Sequence, residues 1–317
     1  MVNMGYDCNI SDILHDFSAL GAYLDCKISK NPLNFTIFAI MIFNRQGKLY
    51  ELETPAVMGV INVTPDSFYS QSCCMQTDGI VKRAGEMLRD GADILDIGAC
   101  STRPGSDSVS ASEELMRLVP ALDAIRKAFP NALLSVDTFR SEIAREAAER
   151  WKVDIINDVS GGDDPEMFDV VSDMDLVYVL MHKRGTPSSM QSLCEYADVT
   201  AEVISELAFR LDLLRAKGVK DVIIDPGFGF AKNLDQNFRL MDELEEFKKI
   251  GPPLLVGISR KSMITNLLGC GADEALPATI ALDTVAMMKG ADIIRVHDVK
   301  PAAHAAAVIK KLRQCHI

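Results

Sequence analysis

The sequence lacks the cysteine patterns of a zinc ribbon or a redox motif. Its eight cysteines include no CxxC pair and no cysteine–histidine spacing that suits zinc. Because a reducing cytosol keeps such thiols unpaired, we expect free cysteines and a cytoplasmic location. Cys73 and Cys74 are adjacent in the sequence, and we predict a loop there.

An excess of positive charge and a membrane-spanning run are also missing. The formal net charge of −12 argues against nucleic acid or an anionic membrane as the main partner. The apolar run Leu33–Phe43 is far shorter than the ~20 residues of a spanning helix. We interpret its end as a hairpin, with a turn at Asn44–Gly47 and a return strand at Lys48–Leu52. Residues 1–32 form an N-terminal extension of unknown role, and 33–317 are predicted to form one domain.

The chain does contain eight short apolar runs that each lead into a polar residue. The first, VMGVINVTPDSF, reaches Asn62 and then Pro65, which prevents a helix from starting there. Apolar runs of this length are typical of parallel strands covered on both faces. The polar residues that end or follow the eight runs are Asn62, Asp96, Asp137, Asn157, His182, Asp225, Ser259 and His297.

Segments with helical periodicity lie between these runs. Alternation of eight strands with helices predicts an α/β fold, a TIM (β/α)8 barrel whose bottom is covered by the N-terminal hairpin. A doubly wound open sheet is the alternative, but it needs an early G-x-G-x-x-G turn, and Gly227–Gly229 is late and does not match. The predicted helices are Thr77–Asp90, Ser112–Phe129, Ser141–Arg150, Pro165–Ser172, Ala197–Lys217, Asp235–Lys249, Asp273–Lys289 and Pro301–Arg313.

Four of the predicted strand-end residues suit a flat heterocycle. Barrel enzymes carry their chemistry at the carboxyl ends of the strands, where Asp137, Asn157, Asp225 and Lys261 all fall. The carboxylates can accept two hydrogen bonds from an amino-amidine edge, and the lysine can donate to a ring carbonyl or nitrogen. Alternatively, each residue is structural and pairs with a neighbouring loop.

A second set of strand-end residues is cationic or hydroxylic and suits a phosphate or diphosphate. Asn62 adds an oxygen ligand for Mg²⁺, which often binds through few protein groups and the phosphates of the substrate. For Arg260 and Arg295 the alternative is a surface or inter-loop salt bridge. For His297 it is a structural histidine at a strand end whose hydrogen bonds are satisfied. The set comprises Thr102, Arg103, Ser259, Arg260, Lys261, Ser262, Arg295 and His297.

Three further residues have expected roles at or near this site. Phe230 can stack against a ring or belong to the core, and Met181 is expected to form an apolar pocket wall. Asp96, inside the run ILDIG, is expected to anchor the loop that follows it.

Taken together, the motifs closely resemble those of dihydropteroate synthases, the sulfonamide-targeted enzymes of bacterial folate synthesis. The resemblance extends from about Gln46 to the C-terminus, and the motifs occur in order with barrel spacing. They are VMGVINVTPDSF, DILDIGACSTRPGS, LLSVDT, INDVSGG, LMHKRGTPSSMQ, IIDPGFGFAK, LLVGISRKS and IIRVHDV.

The resemblance implies a transferase that condenses 6-hydroxymethyl-7,8-dihydropterin diphosphate with p-aminobenzoate, with Mg²⁺, in a homodimer joined through barrel helices. The implied pterin residues are Asp137, Asn157, Met181, Asp225, Phe230, Lys261 and Arg295. Those for p-aminobenzoate are Phe68, Thr102, Pro104, Phe230, Lys261 and Ser262. Those for the diphosphate are Asn62, Thr102, Arg295 and His297, with Asn62 at the metal. The expected catalytic set is Asn62, Thr102, Arg103, Lys261, Arg295 and His297.

Small departures from the family pattern remove none of these contacts. Ala231 stands where glycine is usual, and Lys183 with Arg184 replaces an uncharged pair. We expect a dissociative substitution at the exocyclic methylene of the pterin, with no strong nucleophile from the protein. The alternatives are a methyltetrahydrofolate:corrinoid methyltransferase-like barrel, which would have no use for the diphosphate set, and an inactive barrel that serves as a scaffold.

Overall fold

The part of the chain that the structure describes begins with a β-hairpin. The computed structural model describes residues 39–63, 73–100, 109–186 and 189–315. Strand β1 (Ala39–Arg45) pairs antiparallel with β2 (Lys48–Thr54) through a turn in which Gln46 and Gly47 both have positive φ. Two such residues in succession fit the twist of the flanking strands. The predicted hairpin is confirmed, with a shorter turn and a longer return strand than we predicted.

Eight parallel strands follow and close into a barrel. They are β3 (Ala56–Asn62), β4 (Ile94–Gly98), β5 (Leu133–Asp137), β6 (Ile155–Asp158), β7 (Val177–Met181), β8 (Val222–Asp225), β9 (Leu255–Val256) and β10 (Ile293–Val296). Their order in the sheet is β8, β7, β6, β5, β4, β3, β10, β9. A parallel bridge between Ile224 and Leu254 joins the two edges. The predicted barrel is therefore confirmed.

Helices cover the outside of the barrel. They are α1 (Cys73–Arg89), α2 (Ala111–Ala128), α3 (Ser141–Trp151), α4 (Met167–Asp173), α5 (Val199–Ala216), α6 (Leu234–Asp242), α7 (Ser262–Leu268), α8 (Leu276–Met288) and α9 (Val299–Cys315), with 3₁₀ helices at Met190–Ser192 and Leu244–Ile250. None of these described helices is long and apolar enough to cross a membrane.

Because α1 begins at Cys73, the loop predicted at Cys73 and Cys74 is wrong. The predicted helix Asp235–Lys249 is divided into α6 and a 3₁₀ helix, and α7 was not predicted.

Side chains near the helix starts stabilise several of these helices. Ser110 caps α2 by accepting a hydrogen bond from the Glu113 amide at 3.3 Å. Asp198 accepts from two backbone amides at the start of α5, and Asn233 with Gln236 forms a capping box at α6. Each of these bonds satisfies an amide that has no partner within the helix.

The alternation of side chains along the strands separates two apolar cores. Residues of one parity, such as Leu95, Leu134 and Ile156, pack between the barrel and its helices. Residues of the other parity point into the barrel, because successive strand side chains face opposite sides. The inner core comprises Ala56, Met58, Ile94, Leu133, Ile155, Val177, Val179, Ile223, Leu255 and Ile293, together with Met41, Phe43 and Leu52 of the hairpin.

The hairpin covers the amino-terminal end of the barrel strands, as predicted. The Asn44 amide donates to Asp221, just before β8, at 2.8 Å. Arg45 Nε donates to Asp154, just before β6, at 2.9 Å, and its Nη2 donates to the Ala132 carbonyl before β5 at 3.1 Å.

Candidate active site

The inward-facing positions change from apolar to polar along the barrel axis. Five of the eight strands have an apolar residue near the bottom and, two residues later, a polar residue nearer the carboxyl end. This pattern follows from the period of two in a strand, and it brings residues of distant sequence to one end of the cylinder. The pairs are Ile94 and Asp96, Leu133 and Ser135, Ile155 and Asn157, Ile223 and Asp225, and Ile293 and Arg295.

Arg295 lies between two carboxylates. Its Nε is 2.6 Å from Asp96 Oδ2, and its Nη2 is 2.6 Å from Asp137 Oδ2. Asp96 is fully buried and also accepts from Ser135 Oγ at 2.6 Å and from Asn157 Nδ2 at 3.1 Å. Burial raises the pKa of Asp137, and the Arg295 guanidinium opposes that shift. One buried acid thus fixes the orientation of three pocket side chains.

We expected Asp96 to anchor the following loop, but the partners that the structure gives it belong to β5, β6 and β10. Its carboxylate supports residues that face the pocket. Ser135, which completes this arrangement, was not predicted as a site residue. The signal available in the sequence was a charge in the middle of the apolar run ILDIG, where a buried carboxylate requires specific partners.

The other half of the site lies around Lys261. Its ammonium donates to the Phe228 carbonyl at 2.7 Å and lies 4.9 Å from the centre of the Phe230 ring. Burial lowers the pKa of Lys261 to about 8, with the Asp225 carboxylate acting in the opposite direction. Burial raises the pKa of Asp225, and the positive charge of Lys261 opposes that rise. Asp225 Oδ1 accepts from the Gly227 amide at 2.8 Å.

His297 and Arg260 differ in what they contact. His297 Nδ1 is 3.1 Å from Ser259 Oγ, and the His297 carbonyl accepts from Arg83 at 2.8 Å. The Arg260 guanidinium pairs with Asp298 through two bonds of 2.8 and 2.9 Å, Nε to Oδ2 and Nη2 to Oδ1. For Arg260 the structure therefore has the inter-loop ion pair that we named as the alternative to phosphate binding.

The remaining predicted residues are placed as follows. Asn62 ends β3 and is exposed, Ser262 begins α7 and is exposed, Met181 ends β7 and is buried, and Phe230 is half-buried. The structure brings Asp137, Asn157, Asp225, Lys261 and Arg295 together at one end of the barrel. Phe68, Thr102, Arg103 and Pro104 lie outside the described residues.

A preassembled metal centre is missing from the described ranges, which contain no group of three or more histidine, cysteine, aspartate or glutamate residues arranged to hold an ion. The exposed Asn62 carboxamide at the end of β3 still fits Mg²⁺ that arrives with a diphosphate, because this ion keeps several waters and often binds few protein groups.

Cys100, Cys194, Cys270 and Cys315 form no disulfides among themselves, which confirms the expected thiols for these four.

Comparison with known proteins agrees with this geometry. The family model for pterin binding enzymes matches residues 58–297. Dihydropteroate synthase from Escherichia coli is 42% identical over 267 residues, covering 84% of this chain and 94% of that protein. The counterpart from Synechocystis is 41% identical over 260 residues, covering 81% and 89%.

Solved structures show the same similarity. Yersinia pestis dihydropteroate synthase in complex with a sulfonamide drug superposes with a TM-score of 0.80 at 37% identity, covering 86% of this chain and 99% of that one. The Xanthomonas albilineans enzyme with 4-aminobenzoic acid gives 0.78 at 34% identity, covering 86% and 98%.

A closed (β/α)8 barrel with acids, an amide and two cations at its carboxyl end defines a barrel enzyme that binds a flat polar ring. The chain belongs to the pterin binding enzymes, and within them to the dihydropteroate synthases.

Proposed function

We propose that the chain condenses 6-hydroxymethyl-7,8-dihydropterin diphosphate with p-aminobenzoate to give 7,8-dihydropteroate and diphosphate. The observation that carries this proposal is the convergence of Asp137, Asn157, Asp225, Lys261 and Arg295 at one barrel end. The relatives that cover most of the chain are dihydropteroate synthases, which supports the same reaction.

The acids and the amide recognise the pterin ring. Asp225 Oδ2 and the Asn157 carboxamide face the amino-amidine edge, and Lys261 donates to a ring carbonyl or nitrogen. Asp137 joins this set while it remains paired with Arg295. The apolar walls are Met181 and Phe230, and Arg295 packs along the ring. Burial of these groups makes each hydrogen bond stronger than it would be in water.

The leaving diphosphate requires cations rather than a protein nucleophile. The exocyclic methylene of the pterin loses the diphosphate in a dissociative step, and the ring nitrogens delocalise the developing positive charge. Arg295 and Arg103 oppose the charge of the departing group, and His297 and Thr102 donate hydrogen bonds to it. Asn62 would hold Mg²⁺ together with the diphosphate, and the ion would supply charge neutralisation.

The amine of p-aminobenzoate then attacks the methylene carbon and loses a proton. An arylamine is almost unprotonated at neutral pH, so no general base is assigned to it. The subsite for p-aminobenzoate comprises Phe68, Thr102, Pro104, Phe230, Lys261 and Ser262. Lys261 and Phe230 thus border both substrates, which is consistent with their contact across 4.9 Å.

The chain acts as a cytoplasmic homodimer joined through barrel helices away from the pocket. Exposed apolar side chains on α8 and α9 support this assembly, namely Met288, Val308 and Leu312, of which Met288 is 70% exposed. Sedimentation equilibrium tests it, and a monomer at micromolar concentration would contradict it.

A diphosphate-release assay tests the reaction. Release is expected only when the pterin diphosphate, p-aminobenzoate and Mg²⁺ are all present, and addition of EDTA should abolish it. Methyl transfer to a cobalamin protein would instead support the corrinoid methyltransferase. Binding of the pterin without turnover would support the inactive scaffold.

A further inference from the structure

Lys232 is a buried lysine that the proposed reaction does not use. It ends the loop of residues 226–232 that follows β8, and its side chain is turned back into that loop. Only 3% of the residue is exposed. Its Nζ lies 3.0 Å from the Gly227 carbonyl, 2.9 Å from the Phe230 carbonyl and 3.0 Å from His182 Nδ1. Burial lowers the pKa of Lys232 to about 7, and the Asp225 carboxylate opposes that shift. In its ammonium form the side chain has three N–H donors, and these three acceptors use all of them.

His182 connects Lys232 to helix α5. Its Nε2 is 3.0 Å from Glu206 Oε2. Hydrogen bonds from His182 and Arg184 lower the pKa of Glu206 to about 2, so the carboxylate accepts and His182 Nε2 carries the proton. Burial lowers the pKa of His182 to about 4, which keeps the ring neutral and leaves Nδ1 as an acceptor for Lys232. The order of donors and acceptors from Lys232 to Glu206 is therefore fixed.

The loop that Lys232 braces is the one that contacts Lys261. The Phe228 carbonyl accepts from Lys261 Nζ at 2.7 Å, and the Phe230 ring lies 4.9 Å from the same atom. A Cβ on Gly227 would lie 1.9 Å from the His182 carbonyl, so the loop runs directly against the end of β7. Its backbone therefore has little freedom while the lysine is in place.

Helix α6 holds the same loop from the outside. Asn237 Oδ1 accepts from the Gly229 amide at 2.7 Å, and Asn237 Nδ2 donates to the Lys232 carbonyl at 3.0 Å. Asn237 is itself 98% buried, since only 2% of it is exposed. The loop is thus held at Gly227 and Phe230 by Lys232 and at Gly229 by Asn237.

We propose that Lys232, held in place by His182 and Glu206, is a positioning residue that sets the Phe228 carbonyl and the Phe230 ring against Lys261. It contacts neither substrate and acts only through the loop. The inference rests on the proposed function to the extent that Lys261 borders both substrates there. It assigns a role in the reaction to a side chain whose polar atoms all face the protein interior.

Lys232→Met keeps most of the volume of the side chain and removes its three donors. The Gly227 and Phe230 carbonyls then have no ammonium to bind, and the loop can shift relative to Lys261. We expect kcat/KM for the pterin diphosphate to fall about 10- to 100-fold, since a displacement near 1 Å can cost about 100-fold. Backbone amide exchange in residues 227–231 should rise at least about 10-fold, while exchange in β4 and β5 stays unchanged.

Substitutions of His182 separate positioning from bulk stability. His182→Asn retains an acceptor for Lys232 near the position of Nδ1, and His182→Leu removes it. We expect His182→Asn to retain kcat/KM within about threefold and His182→Leu to approach the loss seen for Lys232→Met. Lys217→Met is the matched control, because Lys217 lies on the surface in an exposed pair with Asp169 and should change neither readout.

Two results would overturn the proposal. One is wild-type kinetics in Lys232→Met despite faster exchange in residues 227–231. The other is a loss of activity accompanied by faster exchange throughout the barrel and a lower urea midpoint, because that would show a structural role alone. If the wild-type protein released no diphosphate with both substrates, the proposed function would be wrong. The amide-exchange comparison of Lys232→Met with the wild type would still decide whether Lys232 holds the loop.

Discussion

The two ends of the barrel are built from the same eight strands and differ in what their inward side chains carry. At the amino-terminal end, Leu133 and Ile155 pack against Phe43 of the hairpin in a continuous apolar core. At the carboxyl end, two residues further along the same strands, Ser135 and Asn157 bond to Asp96. A shift of two positions along a strand therefore changes a stabilising layer into a binding layer.

Charges occur at both ends, but their surroundings differ. At the bottom, Arg45 and Asp154 pair at 2.9 Å, and Arg45 also binds backbone carbonyls, so these charges join the hairpin to the barrel. At the top, Arg295 bonds to two acids beside residues that we assign to the pterin, so a ligand can compete for it. We expect substitutions at the bottom to change stability and substitutions at the top to change turnover.

The largest effect is expected for Arg295→Ala. Removing the guanidinium takes away leaving-group stabilisation and leaves Asp96 and Asp137 without their cation. We expect kcat for diphosphate release to fall about 100- to 1,000-fold, the range found when an electrostatic stabiliser is lost. Steady-state kinetics with both substrates measure this. If turnover persisted and only the KM for the pterin rose, the assignment to the leaving group would be wrong.

At the other end, Arg45→Ala should lower the free energy of unfolding and leave turnover intact. Asp154 is almost fully buried, so loss of its partner leaves an uncompensated negative charge in the protein interior. We expect a loss of about 2 kcal/mol, partly limited by Arg126, whose Nη2 lies 3.8 Å from the same carboxylate. Urea unfolding measures the change. A fall in kcat comparable to that of Arg295→Ala would remove the contrast between the ends.

Asp283 on α8 sharpens the contrast in another way, because it is a buried acid without a hydrogen bond to either carboxylate oxygen in the described structure. Burial raises its pKa to about 8, with Asp298 adding to the shift. The folded state therefore holds the proton up to a higher pH than the unfolded chain, and this group lowers stability as pH rises from about 4 to about 8.

Asp283→Asn should remove this pH dependence, because the carboxamide does not ionise. We expect the variant to be more stable than the wild type by at least about 1 kcal/mol at pH 9, with little difference near pH 4. Urea titrations across this range measure the difference. Parallel curves for the two proteins would show that Asp283 does not titrate as described.

The strands and the polar residues at their ends were predictable because each rests on a local pattern. A buried run followed by a polar residue can be recognised within a dozen positions, as at Asp137, and parallel order then places all such ends together. Helix α7 was missed, whereas α4, which is also seven residues long, was predicted at Pro165–Ser172.

Pairings between distant segments could not be predicted in the same way. The sequence does not show that Arg260 meets Asp298, 38 residues away, or that Asp96 bonds to Arg295, 199 residues away. Lys232 was also missed, because its partners are two backbone carbonyls and a histidine 50 residues earlier. Such partners are set by how the loops pack, which no local pattern records.

The smallest effect is expected at Ala231. Ala231 has a φ of +50° and is fully buried, so an L-residue occupies a conformation that suits glycine. The left-handed conformation costs a non-glycine residue about 1 kcal/mol, and the extra freedom of glycine in the unfolded chain offsets part of that. We therefore expect Ala231→Gly to stabilise the protein by about 0.5 kcal/mol. Urea unfolding measures this, and a net loss of stability would show that packing of the Ala231 methyl group outweighs the backbone term. We expect kcat to stay within about twofold, because Lys232 still holds the loop.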